Sequence, residues 1–156
     1  MRKRRNVLDI ASTEIISAAL APILLISGAG LLALSVQNRY GRVIDRIRDF
    51  DREIRNEKID KKRIESIEVQ TGILIKRGRY LRNSLFFLFS TVLLASLSSF
   101  FILGEAMTYV RLEFPATLSF SIALISMFTG MFFAILDVAL SYRAIEMEID
   151  IERSSA

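Results

Sequence analysis

Three stretches of the chain contain no charged residue: Ile15–Val36 over 22 positions, Ser84–Gly104 over 21 and Phe114–Leu136 over 23. A helix needs about 20 apolar residues to cross a hydrocarbon core about 30 Å thick, so each run predicts a transmembrane helix. Three such runs in 156 residues would leave a water-soluble fold too little polar chain to cover them. After the first run the pattern changes. Tyr40, Val43, Ile44, Ile47, Phe50 and Ile54 recur three or four apart, with Arg39, Arg42, Arg46, Asp49 and Arg52 mostly around the other sides. That spacing predicts an amphipathic helix.

Asn56–Asp60 interrupts the rhythm and reads as a turn, with Asp60 placed to cap the next helix. From Lys61 the spacing resumes through Ile64, Ile67, Thr71, Leu74 or Ile75, Leu81 and Leu85. An antiparallel hairpin over about 38–82 accounts for both arms. Leu136, Ala139, Ile145 and Ile149 extend the third run into a C-terminal helix over about 137–153. The expected fold is an all-α membrane protein: three transmembrane helices, about 15–36, 84–104 and 114–136, extended into a cytoplasmic helical hairpin and a C-terminal helix, all in one membrane domain.

Pro22 lies inside the first run, where it lacks an amide and clashes with the preceding turn. A kink in a complete crossing is the expectation; the alternative is a re-entrant segment. A cleavable signal peptide is not expected, because the apolar run is too long and AGLLALSVQNR is a poor cleavage pattern. Basic residues set the orientation. Residues 38–83 hold fourteen Lys and Arg, the link 105–113 holds only Arg111, and the tail holds Arg143 and Arg153. A cytoplasmic hairpin and C-terminus follow, with the N-terminus outside, although this translocates Arg2, Lys3, Arg4 and Arg5.

The chemistry is sparse. With neither cysteine nor histidine, the chain lacks thiols and the commonest general base and metal-binding nitrogen. There is no phosphate-binding glycine loop, and Gly28-x-Gly30 is too short for a dinucleotide signature. No enzyme activity and no cofactor or metal are expected. The mixed charge of the hairpin also differs from a uniform basic groove, so no nucleic acid is expected.

Small residues recur four apart at Ala29 and Ala33, at Thr91, Ala95 and Ser99, and at Ser126, Gly130 and Ala134. They predict close helix packing, within one chain or between subunits, with Gly28 and Gly30 as further packing positions. The second and third runs are also rich in hydroxyls, which either line a hydrated path or bond back to their own helix. Asp137 closes the third run, Arg39 follows the first and Arg82 precedes the second. These three are the candidate gate or interfacial ion pair. Arg42, Arg46, Arg48, Arg52 and Arg55 are candidate contacts for anionic lipid headgroups or a protein partner. Glu14, Glu105 and Glu113 form a corresponding acidic set at the opposite end.

Ala21-Pro22, Leu24 to Leu32, Asn38-Arg39 and the Arg42-Val43-Ile44-Asp45-Arg46-Ile47-Arg48 helix resemble a family of small prokaryotic integral membrane proteins, domain of unknown function 2721. Lys76-Arg77 and Arg79 before the second run resemble it too. The likeness covers nearly the whole chain; Ser27 and Tyr40 depart from the commoner choices. The resemblance implies three spans and brings no activity. Two functions are then open. One is a homo-oligomeric conduit for small ions, which uses the hydroxyls and small-residue faces together and is the expectation carried forward. The other is a non-transporting scaffold or partner subunit acting through the hairpin.

Overall fold

The computed structural model describes the backbone of residues 2–55, 61–107 and 110–155, and the side chains of 17, 20–55, 61–107 and 110–141. It consists of three helices: α1 (Arg2–Ile54), α2 (Lys61–Met107) and α3 (Glu113–Ser155). Each contains a stretch long and apolar enough to cross a membrane, and the chain is an all-α, multi-pass membrane protein. The turn and Asp60 cap expected at 56–60 lie outside the described residues, as do the side chains of Arg2–Arg5, Glu14, Ile145 and Ile149.

α1 runs unbroken through Pro22, as a continuous crossing requires. The charged segments expected as hairpin arms are continuations of α1 and α2, with no break where the apolar runs end.

The chain packs as two compact units. One comprises Met1–Leu32 with Phe87–Phe128, and the other Ala33–Phe86 with Thr129–Ala156. In both, burial follows one rule. The 19 buried residues among the described side chains all fall on a seven-residue repeat with alternating steps of three and four. In α1 they are Pro22, Ala29, Ala33, Val36, Val43 and Phe50; in α2, Ile67, Leu81, Ser84, Leu88, Thr91, Ala95 and Ser98. In α3 they are Ala116, Ser119, Ala123, Ser126, Gly130 and Asp137. A period of 3.5 residues is the packing pattern of left-handed coiled coils, in which one narrow stripe faces the neighbouring helices.

In the first unit the stripe is small or hydroxylic apart from Leu88 and Pro22, while bulky apolar side chains point outward. Leu24, Leu31 and Phe100 are about 70% exposed (69%, 72% and 69%). A water-soluble bundle would reverse this arrangement. Lipid solvates the large side chains as well as a core does, so close backbone approach and interhelical hydrogen bonds hold the helices instead.

In the second unit the stripe carries Val43, Phe50, Ile67 and Leu81, all buried. Of the alternatives expected on the hairpin's second arm, Leu74 is half-buried and Ile75 is exposed. Glu53 and Arg63 join the two arms through a hydrogen-bonded ion pair at 2.8 Å.

Candidate functional site

Asp137 occupies the buried stripe of α3, and its side chain is fully inaccessible. Two arginines reach it from the other helices of the second unit. Arg77 donates from Nε to Oδ1 at 3.1 Å, and a guanidinium nitrogen of Arg39 lies 3.7 Å from Oδ2. Oδ2 is buried and accepts no hydrogen bond among the described residues. The arginine side chains remain 23% and 31% exposed, so their heads bridge the buried carboxylate and the surface. Ser141 donates to the Asp137 carbonyl at 2.8 Å. One turn away on each helix, Tyr80 and Phe133 stack with centroids 6.4 Å apart.

Beside this cluster lies a cavity of about 320 Å³, lined by Arg39, Arg42, Arg46 and Arg77 with Val43 and Leu74. Arg46 also lies over the Phe50 ring, 4.5 Å from its centroid, a cation–π contact that fixes its head.

The expected trio of Arg39, Arg82 and Asp137 needs a correction. Arg82 is exposed and joins no ion pair among the described residues; Arg77 takes its place. The reason is helical phase. Arg77 is four residues before Leu81 and seven before Ser84 on the buried stripe, whereas Arg82 is the basic residue nearest the apolar run and points elsewhere.

The five arginines expected to meet lipid or a partner divide. Arg48, Arg52 and Arg55 pair with Asp45, Asp49 and Asp51 of the same helix, while Arg42 and Arg46 face the cavity. Among the packing candidates, Ala29, Ala33, Ser126 and Gly130 are buried and Ala134 is half-buried. Gly28 and Gly30 are off the stripe. A Cβ built on either meets nothing within 4 Å, so within this chain neither is required for a close approach.

Several of the hydroxyls in the apolar runs have defined acceptors. Ser84 donates to the Gly130 carbonyl at 2.7 Å, Ser98 to Ala116 at 2.9 Å and Ser126 to Phe87 at 2.9 Å, each joining two helices. Ser27, Thr91, Ser96, Ser99, Ser119 and Ser121 instead bond to the carbonyl four residues back. Of the expected acidic set, Glu105 accepts from the Leu112 amide at 3.2 Å and secures the α2–α3 link. Glu105 and Glu113 line a second cavity of about 610 Å³ in the first unit, with apolar walls including Pro22, Ile102 and Phe120. The Glu14 side chain lies outside the described residues.

Residues 19–147 match the family described as protein of unknown function DUF2721. The chain belongs to that family. The DUF2721 region takes in Arg39, Arg77 and Asp137 together with most of the three apolar runs. No curated protein and no solved structure matches the chain.

Proposed function

We propose that this DUF2721 protein is a non-transporting membrane scaffold that docks a partner protein through its α1–α2 hairpin. The excess of Lys and Arg in residues 38–83 supports a cytoplasmic position for that hairpin. The observation carrying this reading is the use of the hydroxyls. A conduit needs polar groups facing an open path, and here Ser84, Ser98 and Ser126 tie one helix to another at buried positions. The outward faces offer no substitute, because large apolar side chains dominate them. The hairpin offers a docking face, with Arg48, Arg52 and Arg55 at least 70% exposed beside their acidic partners.

Two measurements test the proposal together. Purified protein in liposomes should pass sodium or potassium no faster than empty liposomes do. Charge reversal of Arg48, Arg52 and Arg55 to Glu should remove a protein that co-purifies with the wild type. Ion flux above the empty-liposome level would restore the conduit reading, and an unchanged set of co-purifying proteins would count against docking through this face.

A further inference from the structure

The charged side chains of α1 fall into two sets. Its four described acidic residues each have an arginine: Asp45 with Arg48, Asp49 with Arg52, Asp51 with Arg55 and Glu53 with Arg63. Arg42 and Arg46 have no carboxylate within ion-pair distance among the described residues, and both face the cavity shared with Arg39 and Arg77. Asp137, buried behind Arg39 and Arg77, is one counter-charge there, and the Glu53 carboxylate, paired with Arg63, also feels Arg46. The lining itself carries four guanidiniums and no carboxylate around about 320 Å³.

The chemistry of the walls selects the ligand. Guanidiniums donate hydrogen bonds and accept none, and Val43 and Leu74 offer only apolar surface, so the lining favours an anion rich in acceptors. Planar arginine forks match the oxygens of phosphate in pairs. Three of the heads are already restrained, Arg77 and Arg39 by Asp137 and Arg46 by Phe50, which lowers the ordering cost of binding. The volume lies at the lower end of the range for small-molecule sites.

We propose that the Arg39–Arg42–Arg46–Arg77 cavity binds a phosphate ester, either the headgroup of an anionic lipid or a soluble phosphate compound. Arg39 comes three residues after Val36, where the first apolar run ends. Arg46 lies seven residues further, about 10 Å along the helix. The cavity therefore begins at headgroup depth and opens toward water, within reach of either source. This inference is independent of partner docking, which uses the paired arginines Arg48, Arg52 and Arg55.

The test compares two variants of the full chain that each remove two positive charges from the same helix. Arg42→Gln with Arg46→Gln alters the cavity, whereas Arg48→Gln with Arg52→Gln alters only arginines paired on the surface. Wild-type and variant proteins are placed in phosphatidylcholine particles doped with phosphatidylglycerol, and retained lipid is counted by native mass spectrometry. In parallel they are placed in phosphatidylcholine alone and titrated with glycerol phosphate, following thermal unfolding.

The cavity variant should weaken binding about tenfold or more, the scale of losing charge-assisted hydrogen bonds, while the surface variant changes it little. Specific retention of phosphatidylglycerol identifies a lipid headgroup; saturable stabilisation by glycerol phosphate identifies a soluble ligand. Equal losses in the two variants would reduce the effect to general surface charge and overturn the site. So would binding of neither probe to the wild type. Arg46→Lys keeps the charge but loses the planar fork, and should weaken binding even if the double variant does not fold.

Discussion

The two units share one repeat, and large apolar side chains enter it mainly in the second. In the first, the stripe is made of Ala29, Ala95, Ala123 and the hydroxyls of Thr91, Ser98 and Ser126. In the second, Val43, Phe50, Ile67 and Leu81 are added to Ala33, Val36, Ser84 and Gly130, and the stripe carries a buried carboxylate, Asp137. The difference follows from solvent. Where water surrounds the helices, burying large apolar side chains is the main attraction. Where lipid surrounds them, that attraction vanishes, and small residues with directed hydrogen bonds take over.

Asp137 offers the sharpest way to break the contrast. Asp137→Ala leaves Arg39 and Arg77 converging without a counter-charge and should cost about 3 kcal/mol. Thermal or denaturant unfolding in detergent measures it, and a loss below about 1 kcal/mol would mean the ion cluster does not organise the second unit. Next comes a matched pair of truncations. Leu81→Ala should cost about 3 kcal/mol, against about 0.6 kcal/mol for Ser98→Ala, both measured by the same unfolding assay. Equal costs would erase the distinction between the two packings.

A smaller effect of opposite sign is expected at Gly78. A Cβ there meets Val43 Cγ1 at 3.7 Å and Tyr40 at 4.0 Å, ordinary contacts that require no displacement. Gly78→Ala should therefore stabilise the protein by about 0.7 kcal/mol through helix propensity and reduced freedom of the unfolded chain. A fall in melting temperature would mean that α1 and α2 are closer there than the contacts indicate.

The smallest effect concerns pH and the pin between the hairpin arms. The hydrogen bond from Arg63 holds the Glu53 carboxyl below its ordinary value of 4.5; desolvation opposes the shift, and the charges of Arg63 and Arg46 add to it. Because the folded-state value is the lower one, the contribution is fully present above pH 4.5. It fades as pH falls through the lowered value. Glu53→Gln should slightly lower stability above pH 4.5 and leave it unchanged at low pH, which flattens that acid limb of the profile; an identical acid limb would dismiss the pin.

Much of the architecture was legible in the chain. The uncharged runs marked three helices, and the spacing of Val43 and Phe50 identified the buried face of the first arm. Ala29, Ala33, Ser126 and Gly130 were visible as small residues at helical spacing. The ion cluster was only half legible. Asp137 and Arg39 border their runs, but proximity to a run chose Arg82 where phase along the stripe chooses Arg77. Counting back from Ser98 through Thr91 and Ser84 would have reached it. The destinations of the serine hydroxyls were hidden, because composition does not distinguish a bond to the same helix from one to a neighbour. Gly28 and Gly30 misled for a related reason: small size permits close approach without requiring it.

The unbroken seven-residue repeat also limits how these helices can change length. One inserted residue turns everything beyond it by about 100°, so an insertion in α2 between Leu81 and Ser84 would swing Arg77 out of line with the stripe above it. Seven residues restore the phase while adding about 10 Å. The depth of the charged cluster relative to the apolar runs is thus adjustable only in coarse steps of two helical turns, unless all three helices shift together.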